Sequence, residues 1–193
     1  IFNIKRTFPD AEICAFSHNP EDTERRHGIR CYRLCRKREN VKSAHSGIVN
    51  RLFSIHEKLR DVKNDICFLK ECYKILKPFD LLIMSGGGQL DDYWGGAWGH
   101  PFVLLRWSLL ARLARTKLAY LSVGADSVRS RLSRCFIKMA LSLADYRSFR
   151  ENRTREFVEG LGLRKDNHVY PDLAYSLPVE RKNAIVTKGP LRV

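Results

Sequence analysis

The chain has 193 residues, 44% hydrophobic and 29% charged, which is ordinary usage for one globular domain and excludes a disordered, collagen-like or disulfide-stapled chain. The longest near-apolar stretch, Pro101 to Ala114, is broken by Arg106 and Arg112 and is too short to span a bilayer. The unusual quantity is charge: 35 Lys and Arg stand against 21 Asp and Glu, a net of +14 that points to an anionic partner without naming one.

Ile1 to Phe8 reads as the tail of a helix that Pro9-Asp10 stops, and Ala11 to Phe16 as a short strand. Ser17-His18-Asn19-Pro20 is turn chemistry. Asp22-Thr23 opens a helical turn ended by Gly28, Ile29 to Leu34 alternates as a second strand, and Arg36 to Asn40 is a charged loop. From Ser43 to Leu76 a long helix is expected, because Ile48, Leu52, Ile55 and Leu59 recur at three and four residues. Lys63-Asn64-Asp65 is expected to interrupt it before Ile66, Leu69, Tyr73 and Leu76 resume the face, and Pro78 ends it. Phe79 to Met84 is an apolar run with one Asp, the pattern of a parallel strand covered on both faces.

Glycine clusters follow at Gly86-Gly87-Gly88 and at Gly95, Gly96 and Gly99. His100 to Arg115 is an apolar helix with Pro101 in its first turn, and Lys117 to Val123 is a strand ended by Gly124. Arg129 to Ala144 is a helix whose core face is expected to carry Leu132, Cys135, Phe136, Met139, Ala140 and Leu143. Asp145 to Phe149 is a strand, Glu151 to Leu161 a helix closed by Gly162, and Asn167 to Tyr170 a last strand before Pro171-Asp172. Alternating strands and helices predict an α/β fold: a Rossmann-like parallel sheet with flanking helices. Ligands in such sheets bind beyond the carboxyl ends of the strands, where Gly86, Gly87, Gly88, Gly124, Arg150 and Asp172 all fall.

The glycine turn is either a tight strand-to-loop connection or a cradle whose successive N–H groups hold a phosphate or carboxylate. It is neither a Walker loop nor G-x-G-x-x-G, since position 91 is Asp. Asp91 and Asp92 are candidate proton acceptors or loop-bracing residues, and His100 a candidate acid–base group or the residue that opens the following helix. Trp94 and Trp98 are expected in core or loop packing, with a sugar-stacking surface as the alternative. Arg150 suits bidentate recognition of a carboxylate or phosphate, or a solvated ion pair.

Cys14, Cys67 and Cys135 stand singly in apolar patterns and are expected to be buried. Cys67 and Cys72 lie five helical steps of ~100° apart, on different faces, and nothing completes a zinc set with Cys31 and Cys35, so no metal is expected and the thiols are read as reduced and cytosolic. The basic runs Arg25-Arg26 and Arg36-Lys37-Arg38 come without a zinc-finger, RNA-recognition or helix-turn-helix signature, so no nucleic-acid partner is expected.

The segment Phe79-Asp80-Leu81-Leu82-Ile83-Met84-Ser85-Gly86-Gly87-Gly88-Gln89-Leu90-Asp91-Asp92 resembles the "D-lliigGGG-x-l-x-D" stretch of the polysaccharide pyruvyl transferase family. Leu118 to Gly124, then Ala144 to Thr154 ("aD-x-i-x-vRDexS"), Leu161-Gly162-Leu163 and Tyr170-Pro171-Asp172-Leu173-Ala174-Tyr175 ("pDpAf") continue the resemblance in order. Departures are Gly124-Ala125-Asp126-Ser127 in place of G-x-G-P, Glu151 in place of Asp and Thr154 in place of Ser. The resemblance implies transfer of a pyruvyl group from phosphoenolpyruvate to two hydroxyls of a glycan or lipid-linked sugar, giving a ketal and phosphate, with no cofactor beyond that donor. It implies a two-domain architecture similar to GT-B glycosyltransferases. Residues 1–178 would be its N-terminal half, and residues 179–193 a linker and the start of a second half. The absent initiator Met and the ending Leu191-Arg192-Val193 fit the expectation of a piece cut from a longer protein. Arg150 would hold the donor anion, with the glycine loop, Gly124 and Asp172 around the substrates and Asp91, Asp92 and His100 as catalytic candidates. The expected location is cytoplasmic, with a membrane-peripheral position as an alternative, and the oligomeric state is left open. A GT-B-like glycosyltransferase using a nucleotide-sugar donor shares the same sheet and glycine edge.

Overall fold

In the second half of the chain strands alternate with helices, and that alternation forces parallel pairing. The computed structural model describes residues 1–36 and 48–177, with the side chains of residues 48–59 and of Ser176 left out of the description. In chain order the elements are α1 (Phe2–Thr7), β1 (Cys14–Ser17), α2 (Pro20–His27), β2 (Arg30–Arg33), α3 (Ile48–Leu76), β3 (Leu81–Ser85), α4 (His100–Ala114), β4 (Lys117–Val123), α5 (Arg131–Ser142), β5 (Tyr146–Phe149), α6 (Asn152–Gly160) and β6 (Asn167–Val169). Short 3₁₀ turns stand at Gly96–Trp98 and Leu173–Ser176. The strands form two parallel sheets, a pair β1-β2 and a four-stranded sheet ordered β3-β4-β5-β6. This is an α/β fold with parallel pairing and flanking helices, as the alternation predicts, but the strands divide between two sheets where one was expected.

The core joins α3, α4 and α5 to the four-stranded sheet. Cys72 and Leu76 of α3, Leu104 and Trp107 of α4, Leu118 and Tyr120 of β4, and Ile137 and Leu141 of α5 are buried together. Helix α4 also reaches the small sheet: Phe16 and Trp107 rings lie 4.2 Å apart, and the Trp107 indole N–H and an Arg106 guanidinium N–H both donate to the Leu34 carbonyl. Asp145 locks the amino-terminal edge, taking the Leu118 N–H at 2.8 Å and Arg112 at 3.1 Å. On α4, Ser108 exchanges a 2.9 Å hydrogen bond with Tyr120, whose phenol pKa is pushed up by complete burial.

Several expectations are corrected. Helix α3 runs unbroken through Lys63-Asn64-Asp65, because Asp61 and Asp65, one turn apart, both hold Arg36 at 2.9 and 2.7 Å. The expected charged loop from Arg36 and the helix start at Ser43 fall largely on residues 37–47, outside the described residues. Strand β3 is not covered on both faces: it stands at the end of the sheet order, Leu81 is exposed, and β4 is the strand that is buried. Helix α2 opens at Pro20, not Asp22. The buried stripe of α5 is Ser133, Ile137, Ala140 and Leu141, so the helix is rolled away from the predicted face and Leu132 and Met139 lie exposed. Among the thiols, Cys67 and Cys135 are exposed and Cys14 half-buried, while Cys31 and Cys72 enter the core.

Candidate functional site

Two loops are stitched together at the carboxyl edge of β3 and β4. Gly86 (φ 46°) and Gly87 (φ 70°) adopt left-handed backbone that L side chains rarely take. The Gly86 N–H donates to the Leu121 carbonyl at 2.9 Å, and the Gly124 N–H donates to the Gly87 carbonyl at 2.7 Å. The Leu90 N–H returns to the Gly124 carbonyl at 3.0 Å, and an isolated bridge pairs Leu90 with Ala125. Among the described residues neither the Gly87 nor the Gly88 N–H meets a protein acceptor, and both residues face solvent. The Asp91 carboxylate lies beside Gly88, about one van der Waals contact from where a Cβ would stand.

Arg150 leaves the end of β5 and lays its guanidinium across Gly124. A Cβ on Gly124 would stand 2.6 Å from Arg150 Cζ, so only glycine leaves room for this placement. The same guanidinium is 3.6 Å from Glu151 and 4.0 Å from Asp172, long contacts that orient it without saturating its donors. Asp172 accepts the Ala174 N–H at 3.0 Å, which starts the 3₁₀ turn, and Leu173 of that turn lies against Gly86. The turn after β6 thus folds back over the glycine loop. Arg150, Glu151, Val169, Tyr170, Asp172 and Tyr175 line an open cavity of about 570 Å³.

Gly86, Gly87, Gly88, Gly124, Arg150 and Asp172 therefore share the carboxyl edge of the sheet, as their positions after strands predict. His100 opens α4 and shares a 2.9 Å hydrogen bond with the Gln89 amide. Burial pushes its pKa down against the pull of Asp91. Asp91 also accepts the Tyr93 N–H at 3.2 Å. Asp92 turns the other way: it takes the N–H groups of Arg129 (3.2 Å) and Ser130 (3.0 Å), bracing the start of α5. Burial pushes its carboxyl up, but the Ser130 N–H, the nearby Ser133 hydroxyl and Arg129 outweigh this and hold it below the usual aspartate range. Trp94 and Tyr93 pack on each other and stand 76% and 81% exposed, and Trp98, though it leans on Phe102 and Phe136, is 68% exposed, so neither tryptophan enters the core.

One structural residue appears in the sequence only as the threonine that stands for serine at the end of the Arg150 motif. Thr154, fully buried on α6, accepts the Ala125 N–H at 2.8 Å and donates to Glu151 at 3.3 Å, tying the loop after Gly124 to the Arg150 segment. The motif position marks Thr154 in the sequence, but its partner, the Ala125 N–H twenty-nine residues away, shows only in the fold.

The ordered edge motifs coincide with a known family. A sequence profile described as polysaccharide pyruvyl transferase matches residues 3–192. The chain belongs to the polysaccharide pyruvyl transferase family. No curated protein and no solved structure matches it. The polysaccharide pyruvyl transferases are transferases acting on polysaccharides, and the match takes in the glycine loop, the Arg150 segment and the turn after β6. No helix among the described residues is long and apolar enough to cross a membrane.

Proposed function

We propose that this pyruvyl transferase family member uses phosphoenolpyruvate as donor and forms a cyclic pyruvate ketal on a sugar of a glycan. Support rests on one arrangement: the Arg150 guanidinium laid over Gly124, with donors to spare, beside the exposed N–H groups of Gly87 and Gly88. A small anion with carboxylate and phosphate groups matches such donors. In this reading Arg150 and the glycine loop hold the donor, and Asp172 orients Arg150. Tyr93, Trp94 and Tyr175, all exposed, offer ring faces to the sugar.

The reaction balances without an oxidant. The donor methylene takes a proton to become methyl, one sugar hydroxyl adds to the adjacent carbon, the second displaces phosphate, and the two hydroxyl protons go to the methyl and the leaving group. Asp91 and His100, at the exit of the glycine loop, are the proposed proton handlers. His100, with its lowered pKa, works from the neutral form. The chain acts as the first half of a GT-B-like pair of Rossmann-like units.

The test incubates the polypeptide that carries this chain with phosphoenolpyruvate and a panel of glycans. Acceptor-dependent phosphate release with a ketal methyl signal by NMR is expected, and loss of both in Arg150→Ala. A melting shift with nucleotide-sugars and none with phosphoenolpyruvate would overturn this function in favour of glycosyl transfer.

A further inference from the structure

A second cavity lies between the loop after β4 and helices α5 and α6. Its volume is about 330 Å³, and it is walled by the loop Ala125 to Arg129, by Arg134 of α5 and by Arg153 and Phe157 of α6. None of its lining residues belongs to the Arg150 cavity. Three arginines line it, all exposed, and among the described residues none has a carboxylate within ion-pair distance. Asp92 offsets part of the Arg129 charge, and an oxyanion in the hollow offsets the remaining mutual repulsion of the three arginines.

The walls are held in place before any ligand arrives. Arg134 donates from both Nε and Nη2 to the Val128 carbonyl, at 3.1 and 3.0 Å, which fixes its guanidinium plane at the rim. The loop bearing Arg129 is pinned by Asp92, and the loop start by Thr154. The one acid in the lining, Asp126, accepts the Ser127 N–H at 2.8 Å and faces solvent. With the Arg134 fork fixed and the exposed Arg129 and Arg153 side chains beside it, the hollow suits phosphate esters, which accept bidentate hydrogen bonds.

We propose that Arg129, Arg134 and Arg153 form a second oxyanion subsite that takes a phosphate or diphosphate ester, distinct from the donor pocket at Arg150. The subsite stands on its own cavity; only its distinctness from a donor pocket rests on the proposed function. The phosphate belongs to a separate diphosphate-bearing substrate; if it is the donor's own, phosphoenolpyruvate binding falls together with pyrophosphate binding in the test below.

Binding of inorganic pyrophosphate and of phosphoenolpyruvate is measured by calorimetry at fixed ionic strength on the wild-type chain, on Arg129→Ala/Arg153→Ala and on Arg150→Ala, with melting curves as the folding check. The double variant is expected to lose about tenfold or more in pyrophosphate affinity while phosphoenolpyruvate affinity stays within about twofold. Lysine at both positions should restore part of the loss. Undiminished pyrophosphate binding in the double variant, or none to wild type at about 10 mM, overturns the subsite. Equal loss of both ligands overturns its distinctness. Arg150→Ala sparing both ligands would sink the donor assignment and leave the subsite standing.

Discussion

Gly124 and Arg150 are adjacent only in space, and their contact makes a sharp prediction. Gly124→Ala places a methyl where the guanidinium lies, and the flexible arginine, not the backbone, must yield. The fold should lose about 1 kcal/mol or less, the scale of one off-rotamer side chain. Phosphoenolpyruvate affinity should fall about tenfold, because Arg150 leaves its place. Gly160→Ala is the matched control: nothing lies within 4 Å of its added methyl. It should raise stability by about 0.4–1 kcal/mol and leave affinity alone. Denaturant melts and calorimetry on the two variants check both halves. Equal affinity losses would show that Arg150 placement is not what Gly124 protects.

His100 and Asp92 give a residue-scale pH signature. Burial lowers the His100 pKa, so the unfolded chain binds its proton first as pH falls. The His100 contribution to stability is therefore whole above its ordinary value of ~6.5 and is lost as pH drops from there toward the lowered value. Asp92 also has a lowered pKa, so its contribution is whole above the ordinary value of ~3.9 and disappears as pH falls below that. His100→Gln should flatten the stability profile between about pH 7 and 5, and Asp92→Asn only the limb below about pH 4. Urea midpoints across that range decide it, and an unchanged slope above pH 5 in His100→Gln would refute the assignment.

At the scale of elements, the buried Thr154 hydroxyl ties α6 to the loop after Gly124, beside the core packing of Val158. Thr154→Val keeps the shape but strands the Ala125 N–H in the interior, at a cost of about 1–3 kcal/mol. Thr154→Ser, which keeps the oxygen, should cost less, and a valine variant as stable as wild type would deny Thr154 this role. The elements themselves were legible wherever local chemistry and tertiary packing agree. Lys117–Val123 is a strand flanked by Thr116 and Gly124, and Gly28 closes α2 with φ 63°. Where side-chain pairing at a distance decides, the letters misled. Arg36 bridges Asp61 and Asp65 across more than twenty residues and holds straight a helix that Lys63-Asn64-Asp65 seemed to break. The roll of α5 likewise depends on its neighbours, so Ser133 is buried where Leu132 was expected. The carboxyl edge was legible because topology alone puts strand-following residues there. The Thr154 bond to Ala125 and the three-arginine cavity were not, since both arise from contacts between separate elements.

The charge of the whole molecule is divided unevenly. Residues 1–100 hold 17 Lys and Arg against 13 Asp and Glu, and residues 101–193 hold 18 against 8. Part of the excess lies in the arginines that line the two cavities, and salt dependence distinguishes a focused site from a diffuse basic surface. A chain gripping DNA through 6–10 phosphates loses about 10³–10⁵ in affinity between roughly 50 and 200 mM salt. A small anion held by an arginine and a pair of N–H groups releases few counterions and should lose only about tenfold over the same range. Titrating the chain with phosphoenolpyruvate and with a labelled duplex at both salt concentrations separates these cases. Duplex binding should vanish at the higher salt while phosphoenolpyruvate binding persists. Tight duplex binding that survives would mean that the surface, not the sheet edge, is what the surplus arginines and lysines serve.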